Sequence, residues 1–339
     1  MKGVSYEGVG KIVVKDDLPR PNINPDEVLV KVKYCGICGS DIESFKKAGM
    51  YSPGTIIGHE ISGDIVEVGE DVKKLKIGDR VTLNPNLPCY DCYWCNRSQE
   101  NKCKSSPKAL GTLVDGAMVE FINTNQERIH ILPDSVSYEE GALVEPLAVG
   151  IYSVQESGIR LGESVAVYGA GTIGLMTILA LKVAGASNIY VLDPVESKQK
   201  RALELGASKA FPPQQWKKIQ RLTDRIGPPH VFDCVGINET ITASIDLVRR
   251  GGYITLVGMD PDVGVLKNFY GLQIKNITLR GIFAYNQDTF EAAINLLDQK
   301  RVDVKPLITK VIQMDDISKA FEKLANKIHE DIKILVKIE

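Results

Sequence analysis

The stretch Ser164-Val165-Ala166-Val167-Tyr168-Gly169-Ala170-Gly171-Thr172-Ile173-Gly174, continued by the apolar segment Leu175 to Ala184, decides how this chain is read. A short apolar run leads into three glycines spaced G-x-G-x-x-G, and a segment of helical length follows. Alone the spacing means little; between a strand and a helix it gains a mechanism. Gly169 permits a tight turn, Gly171 lets the backbone approach a pyrophosphate, and Gly174 lets the helix lie close on its sheet. The helix opens at Thr172 and Ile173, and its first N–H groups offer partial positive charge to phosphates. A second apolar run, Asn188–Leu192, ends at Asp193, 19 positions after Gly174. An acid there accepts from the ribose hydroxyls and repels a 2′-phosphate, which favours NAD over NADP. Lys198 adds a candidate contact to the same ribose.

Outward from this turn, strand and helix patterns alternate. Ser197–Leu205 reads as a helix stopped by Gly206. His230–Val235, Glu239–Val248, Tyr253–Val257 and Asn276–Arg280 continue the series, which implies a parallel, doubly wound sheet. The chain before about residue 148 differs. It is rich in valine, isoleucine and glycine, and Glu27–Tyr34, Gly63–Val68 and Asp79–Leu83 read as short strands of a small barrel or twisted sheet. After about 286 an amphipathic helix, Thr289–Leu297, puts Phe290, Ile294 and Leu297 on one face, and Ile332–Lys337 reads as a strand.

A length of 339 residues implies two domains. A formal net charge of -2 gives no global pull toward nucleic acid or an anionic membrane. The glycines and Lys182 break up Val165–Ala186, so it is not read as a membrane span. The first residues show no secretory core, and the seven cysteines are expected as reduced thiols or metal ligands of a cytoplasmic protein.

Four of these cysteines, Cys89, Cys92, Cys95 and Cys103, form C-x2-C-x2-C-x7-C. Four thiolates complete a tetrahedral zinc shell, with no place for substrate, so the expected role is a structural zinc. An iron–sulfur cluster uses the same ligands. A nucleic-acid module is disfavoured, because the segment is not strongly basic and no recognition helix follows. A second constellation joins Cys35-Gly36-Ile37-Cys38-Gly39-Ser40-Asp41 to Gly58-His59-Glu60. Cysteine, histidine and carboxylate suit a catalytic zinc, which keeps three protein ligands and one open position. Neighbours on a regular strand point to opposite faces, so His59 and Glu60 share a metal only if the backbone bends, which Gly58 makes easier. Glu145, in Glu145-Pro146-Leu147, competes as the carboxylate, and composition does not rank the two.

Taken together, C-G-I-C-G-S-D, G-H-E at 58–60, G-D-R-V at 78–81, the four-cysteine lobe, E-P-L at 145–147 and the glycine turn resemble the medium-chain zinc alcohol dehydrogenases. G-H-E with E-P-L is similar to their polyol branch, which includes sorbitol, galactitol-1-phosphate and butanediol dehydrogenases. The resemblance implies a Rossmann-type NAD-binding domain at 148–285. It implies a β-rich GroES-like substrate domain built from 1–147 and 286–339, with the zinc lobe at 86–106. It implies Cys38 rather than Cys35, then His59, as zinc ligands, with Glu60 similar to the third ligand and Glu145 beside the metal. Ser40 matches the hydroxyl that takes the substrate proton, and Asp41 a carboxylate that holds His59. The implied reaction oxidises a polyol or secondary alcohol, zinc acidifying the hydroxyl and NAD receiving the hydride.

Two positions depart from the pattern. Glu43 stands where many relatives carry a proton-relaying histidine, so Glu43 or water takes that role. Ala284 stands where many sorbitol dehydrogenases have an arginine, which leaves a smaller diol or another polyol open. A threonine dehydrogenase-like activity is the alternative within the same chemistry, though E-P-L argues against it. A non-catalytic NAD- or zinc-binding protein is the third reading, and the intact constellation argues against it. Tyr51 and Tyr285 are candidate residues near the substrate, and a homodimer or homotetramer is expected.

Overall fold

The structure is a computed structural model that describes residues 1–47, 51–105, 108–260, 268–326 and 329–338. The last residue of the expected lobe, Ser106, lies outside the described residues. In chain order the strands are β1 (Gly3–Gly8), β2 (Lys11–Lys15), β3 (Glu27–Gly36), β4 (Glu60–Val68), β5 (Arg80–Leu83), β6 (Phe121–Asn125), β7 (Ile129–Ile131) and β8 (Ser164–Tyr168). They continue as β9 (Asn188–Leu192), β10 (Lys209–Phe211), β11 (His230–Asp233), β12 (Tyr253–Leu256), β13 (Thr278–Gly281), β14 (Ile308–Gln313) and β15 (Lys333–Lys337). The helices are α1 (Gly39–Lys46), α2 (Tyr138–Ala142), α3 (Val144–Ser157), α4 (Thr172–Val183), α5 (Glu196–Glu204), α6 (Lys217–Leu222), α7 (Asn238–Leu247), α8 (Phe269–Ile274), α9 (Gln287–Asp298) and α10 (Ile317–Leu324). Among the described residues no helix is long and apolar enough to cross a membrane.

The chain divides into two compact units, Met1–Glu145 with Tyr285–Glu339, and Pro146–Ala284. The second unit is a six-stranded parallel sheet in the order β10-β9-β8-β11-β12-β13. The order reverses between β8 and β11, and in open sheets of this kind the ligand crevice opens there, beyond the carboxyl ends of the strands. Val165, Ala166, Val167 and Tyr168 of β8 are all buried, as a central parallel strand requires. The glycine turn leaves β8 at that end. Gly169 has φ +90°, a left-handed conformation, and a Cβ on Gly174 would overlap the Gly169 carbonyl. Nothing lies within 4 Å of a Cβ built on Gly171, so the turn is open on that side.

The first unit is built on a seven-stranded mixed sheet ordered β14-β15-β3-β4-β5-β7, with β6 also on β3. Its core fills from both flanks of β3: Val28, Val30 and Val32 pack with Ile57, Ile61, Ile65, Val81 and Leu83 from the N-terminal part, and with Phe321, Ile334 and Val336 from the C-terminal part. Burying such side chains stabilises by about 1.5–3 kcal/mol each, which binds two segments distant in sequence into one body. α9 begins at Asn286, whose side chain accepts from the Thr289 N–H as an N-cap, and it buries Phe290, Ala293, Ile294 and Leu297.

Candidate active site and metal centres

Cys38 follows β3 by two residues and is the N-cap of α1. Its N–H donates to Asp41 Oδ2 at 2.8 Å, and the other oxygen of Asp41 accepts from Tyr51 at 2.5 Å. Asp41 was expected to hold His59. Instead its two oxygens are engaged by Cys38 and Tyr51, and it acts on His59 as a neighbouring charge. Burial pushes the Asp41 carboxyl up, against the pull of His59. Ser40 is half-buried and within hydrogen-bonding reach of Tyr51. Cys35, by contrast, is fully buried, and desolvation pushes its thiol well up, so it is a core residue.

The bend that His59 and Glu60 require is present. Gly58 has φ +96°, and β4 begins only at Glu60, so His59 lies before the regular strand. A Cβ at Gly58 would stand 2.7 Å from Cys35 Sγ and 2.9 Å from the Met118 N–H nitrogen, so glycine is needed for space as well as for φ. The bend brings ligand atoms of Cys38, His59 and Glu60 within 4.8 Å of one another. Burial opposes a charge on His59, yet Cys38, Asp41 and Glu145 outweigh it and hold the imidazole well above its usual range. His59 Nδ1 is buried without a hydrogen-bond partner. Negative donors around an unsatisfied ring nitrogen fit a bound cation, and sulfur, nitrogen and oxygen together fit zinc.

Glu145 lies beside this trio. Tyr285, 1% exposed, donates to its Oε1 at 3.0 Å, and burial pushes its carboxyl up to about 7, with Glu60 adding to the rise and His59 opposing it. Sequence reasoning missed Lys333. It is buried, and its ammonium donates to Glu60 at 2.6 and 2.7 Å. Burial disfavours its charge, but Glu60 and Cys38 more than offset that and raise its pKa. The available signal was a lysine opening a strand whose next residues, Ile334 to Val336, are all apolar. Glu43 sits on α1 at hydrogen-bonding distance from Lys46, 2.8 Å, with Lys47 at 3.8 Å.

In the lobe, ligand atoms of Cys89, Cys92, Cys95 and Cys103 lie within 4.8 Å of one another. Thiolates about 2.3 Å from one zinc stand about 3.8 Å apart, so the spacing fits. The backbone N–H groups of Cys89 and Ser105 point at Cys103 Sγ at 3.2 and 3.3 Å, supporting thiolate charge. The lobe is tied to the sheet body: Asn286 donates to the Ser98 carbonyl at 3.1 Å.

At the glycine turn, Asp193 is buried, and its carboxylate accepts from Ala170 N–H at 2.7 Å and Val195 N–H at 2.8 Å. Gln199, not foreseen, donates to the Asp193 carbonyl at 2.7 Å. Thr172 and Ile173 are half-buried at the start of α4, and Lys198 is half-buried on α5.

A parallel sheet with a glycine turn in one unit, and two zinc-type donor sets in the other, are together the features of a zinc-dependent oxidoreductase. Residues 24–134 match the alcohol dehydrogenase GroES-like domain, and 172–299 match the zinc-binding dehydrogenase family. Sorbitol dehydrogenase 1 of Saccharomyces cerevisiae is 35% identical over 94% of this chain and 93% of its own. Among solved structures, an Escherichia coli oxidoreductase of unknown specificity involved in membrane biogenesis superposes with a TM-score of 0.93 at 32% identity, covering 100% of both chains. The 2R,3R-butanediol dehydrogenase of Bacillus subtilis gives 0.89 at 31%, over 100% of this chain and 99% of its own. The chain belongs to the zinc-dependent medium-chain alcohol dehydrogenases, in their polyol branch.

Proposed function

We propose that this enzyme oxidises a polyol or a secondary alcohol to a ketone and passes the hydride to NAD. The observation that carries the reading is the convergence of Cys38, His59 and Glu60 next to Glu145. These residues would hold the zinc, with Glu145 as a further ligand or as the acceptor of a hydrogen bond from what the zinc binds. When bound, zinc supplies Lewis acidity to an alcohol oxygen. Ser40 Oγ takes the substrate proton at its first stop, and Tyr51 fixes Ser40 from the buried side. Tyr285 orients Glu145 through its hydroxyl. Cys89, Cys92, Cys95 and Cys103 would hold a second, structural zinc.

The cofactor reading rests on Asp193. Two backbone N–H groups fix its carboxylate at the edge of the glycine turn, where a 2′-phosphate would meet a stationary negative charge. Gly169, Gly171 and Gly174 would take the pyrophosphate against the N-terminus of α4. The test is a panel of polyols, sugar-alcohol phosphates, vicinal diols and threonine, each with NAD and with NADP, following reduced nicotinamide. Turnover of a polyol or diol with NAD is expected. No turnover on the whole panel by protein carrying two zinc ions per chain would sink the substrate reading, and a preference for NADP would sink the role of Asp193.

A further inference from the structure

Lys333 is the one lysine among the described residues that is buried, at 2% exposure. Three adjacent strands put it where it is: Leu335 of β15 lies opposite Gly36 of β3, and Gly36 lies opposite Glu60 of β4. Alternation along β15 places Lys333 on the same face as Leu335. Lysine and glutamate therefore meet over Gly36, which has no side chain to fill the gap; a Cβ there would overlap Glu60 Oε2. An ammonium has three protons. Those of Lys333 go to Glu60 Oε1 at 2.7 Å, to Glu60 Oε2 at 2.6 Å, and to the Ile37 carbonyl, next to Cys38, at 2.9 Å.

We propose that Lys333 is a positioning residue of the metal centre: by holding both oxygens of Glu60 it stops that carboxylate from closing over the metal and keeps one coordination position free for substrate. The inference rests on the zinc reading of Cys38, His59 and Glu60 given above. A buried carboxylate needs a counter-charge. Lysine and metal compete for the same two oxygens, because Glu60 faces both. With the lysine in place, the carboxylate is pinned between the ammonium and Gly36. Without it, the metal is the remaining cation that can neutralise Glu60, and the carboxylate turns onto it through both oxygens. A catalytic zinc whose open place is filled by protein no longer takes an alcohol.

The experiment compares the full-length wild type with K333M, K333R, E60Q and E60Q/K333M. Zinc release to a chromogenic chelator is timed, the lobe zinc serving as an internal reference, and cobalt(II) substituted at the active site is read by its visible spectrum. In K333M, active-site zinc leaves roughly 10- to 100-fold more slowly, the scale on which residues behind metal ligands act. The cobalt bands weaken toward a five-coordinate pattern, and kcat falls while the KM for the nicotinamide cofactor stays put. K333R, whose fork can hold both oxygens, restores the wild-type spectrum and release rate. E60Q and E60Q/K333M release zinc at one shared rate, because the lysine acts through Glu60. That neutral pair gives the answer even where K333M does not fold. Zinc release from K333M that is unchanged or faster, with a wild-type cobalt spectrum, overturns the proposal, as does a difference between E60Q and E60Q/K333M. A wild-type chain that binds zinc in the lobe alone overturns the metal reading itself, a separate result.

Discussion

The two metal-type donor sets of this chain are built by opposite means. The lobe draws four sulfurs from 15 consecutive residues, Cys89 to Cys103, in turns and short helical segments. The other set takes one donor from the N-cap of α1, one from a bend at Gly58 and one from the start of β4, then leans on a lysine of β15. The lobe is homogeneous and closed. The other site mixes sulfur, nitrogen and oxygen, keeps Glu145 and the buried Lys333 around its donors, and depends on long-range strand pairing. Closed sites report on stability, and open ones on chemistry.

The largest test of that contrast is substitution of one thiol in each set. C38S is expected to lower kcat/KM by about 10³-fold or more, on the scale of lost transition-state stabilisation at a metal, while zinc analysis still finds the lobe ion. C103S should do the reverse, dissolving the lobe and lowering thermal stability before any loss that is specific to turnover. If both variants lose both ions together, the two sites are one cooperative unit and the contrast fails. Next in size is G58A. A Cβ there meets a main-chain nitrogen and a sulfur at a positive φ, so stability should fall by about 2–4 kcal/mol, read by denaturant unfolding.

His130 gives a pH test in the body that carries both sites. Burial holds its pKa down to about 4, and its Nε2 accepts from Gln287 at 2.9 Å, so the ring is neutral when folded. The unfolded chain binds this proton near the ordinary histidine pKa, about 6.5, and the folded chain does so only near 4. The stability from this residue is therefore complete above about pH 6.5 and is lost as pH falls toward 4, by up to about 3 kcal/mol. H130N should flatten that slope in unfolding curves measured across the window. The smallest expected effect is Y285F. Removing one hydroxyl from Glu145 should lower kcat about tenfold, the worth of a hydrogen bond to a charged group, with the cofactor KM unchanged. An unaltered kcat would show that Glu145 needs no orienting.

The same contrast explains what could be read from the sequence. Where ligands are close in the chain, spacing suffices: the lobe cysteines and the glycine turn, β8, α4 and β9 stand where the sequence puts them. Cys38, His59 and Glu60 were legible as types and motifs, and the need for a bend beside Gly58 followed from strand geometry alone. The choice between Glu60 and Glu145 was not legible, because Tyr285 and Lys333 decide their surroundings from far along the chain. The partner of Asp41 was also misread, since whether its oxygens face His59 or Tyr51 depends on how Tyr51 packs. The one local signal for Lys333, a lysine opening an apolar strand, is weak, because such a lysine ordinarily reads as the strand's solvated end.

The distance between Glu60 and Lys333 has a consequence in time as well as in space. The two residues are 273 positions apart, so at about 5–20 residues per second a ribosome makes the lysine roughly 14–55 seconds after the glutamate. Throughout that interval Cys38, His59 and Glu60 already exist, while the strand that brings the ammonium does not. Until β15 pairs with β3, neither oxygen of Glu60 has its ammonium partner, so the surroundings of the site take their final form only when β15 is in place.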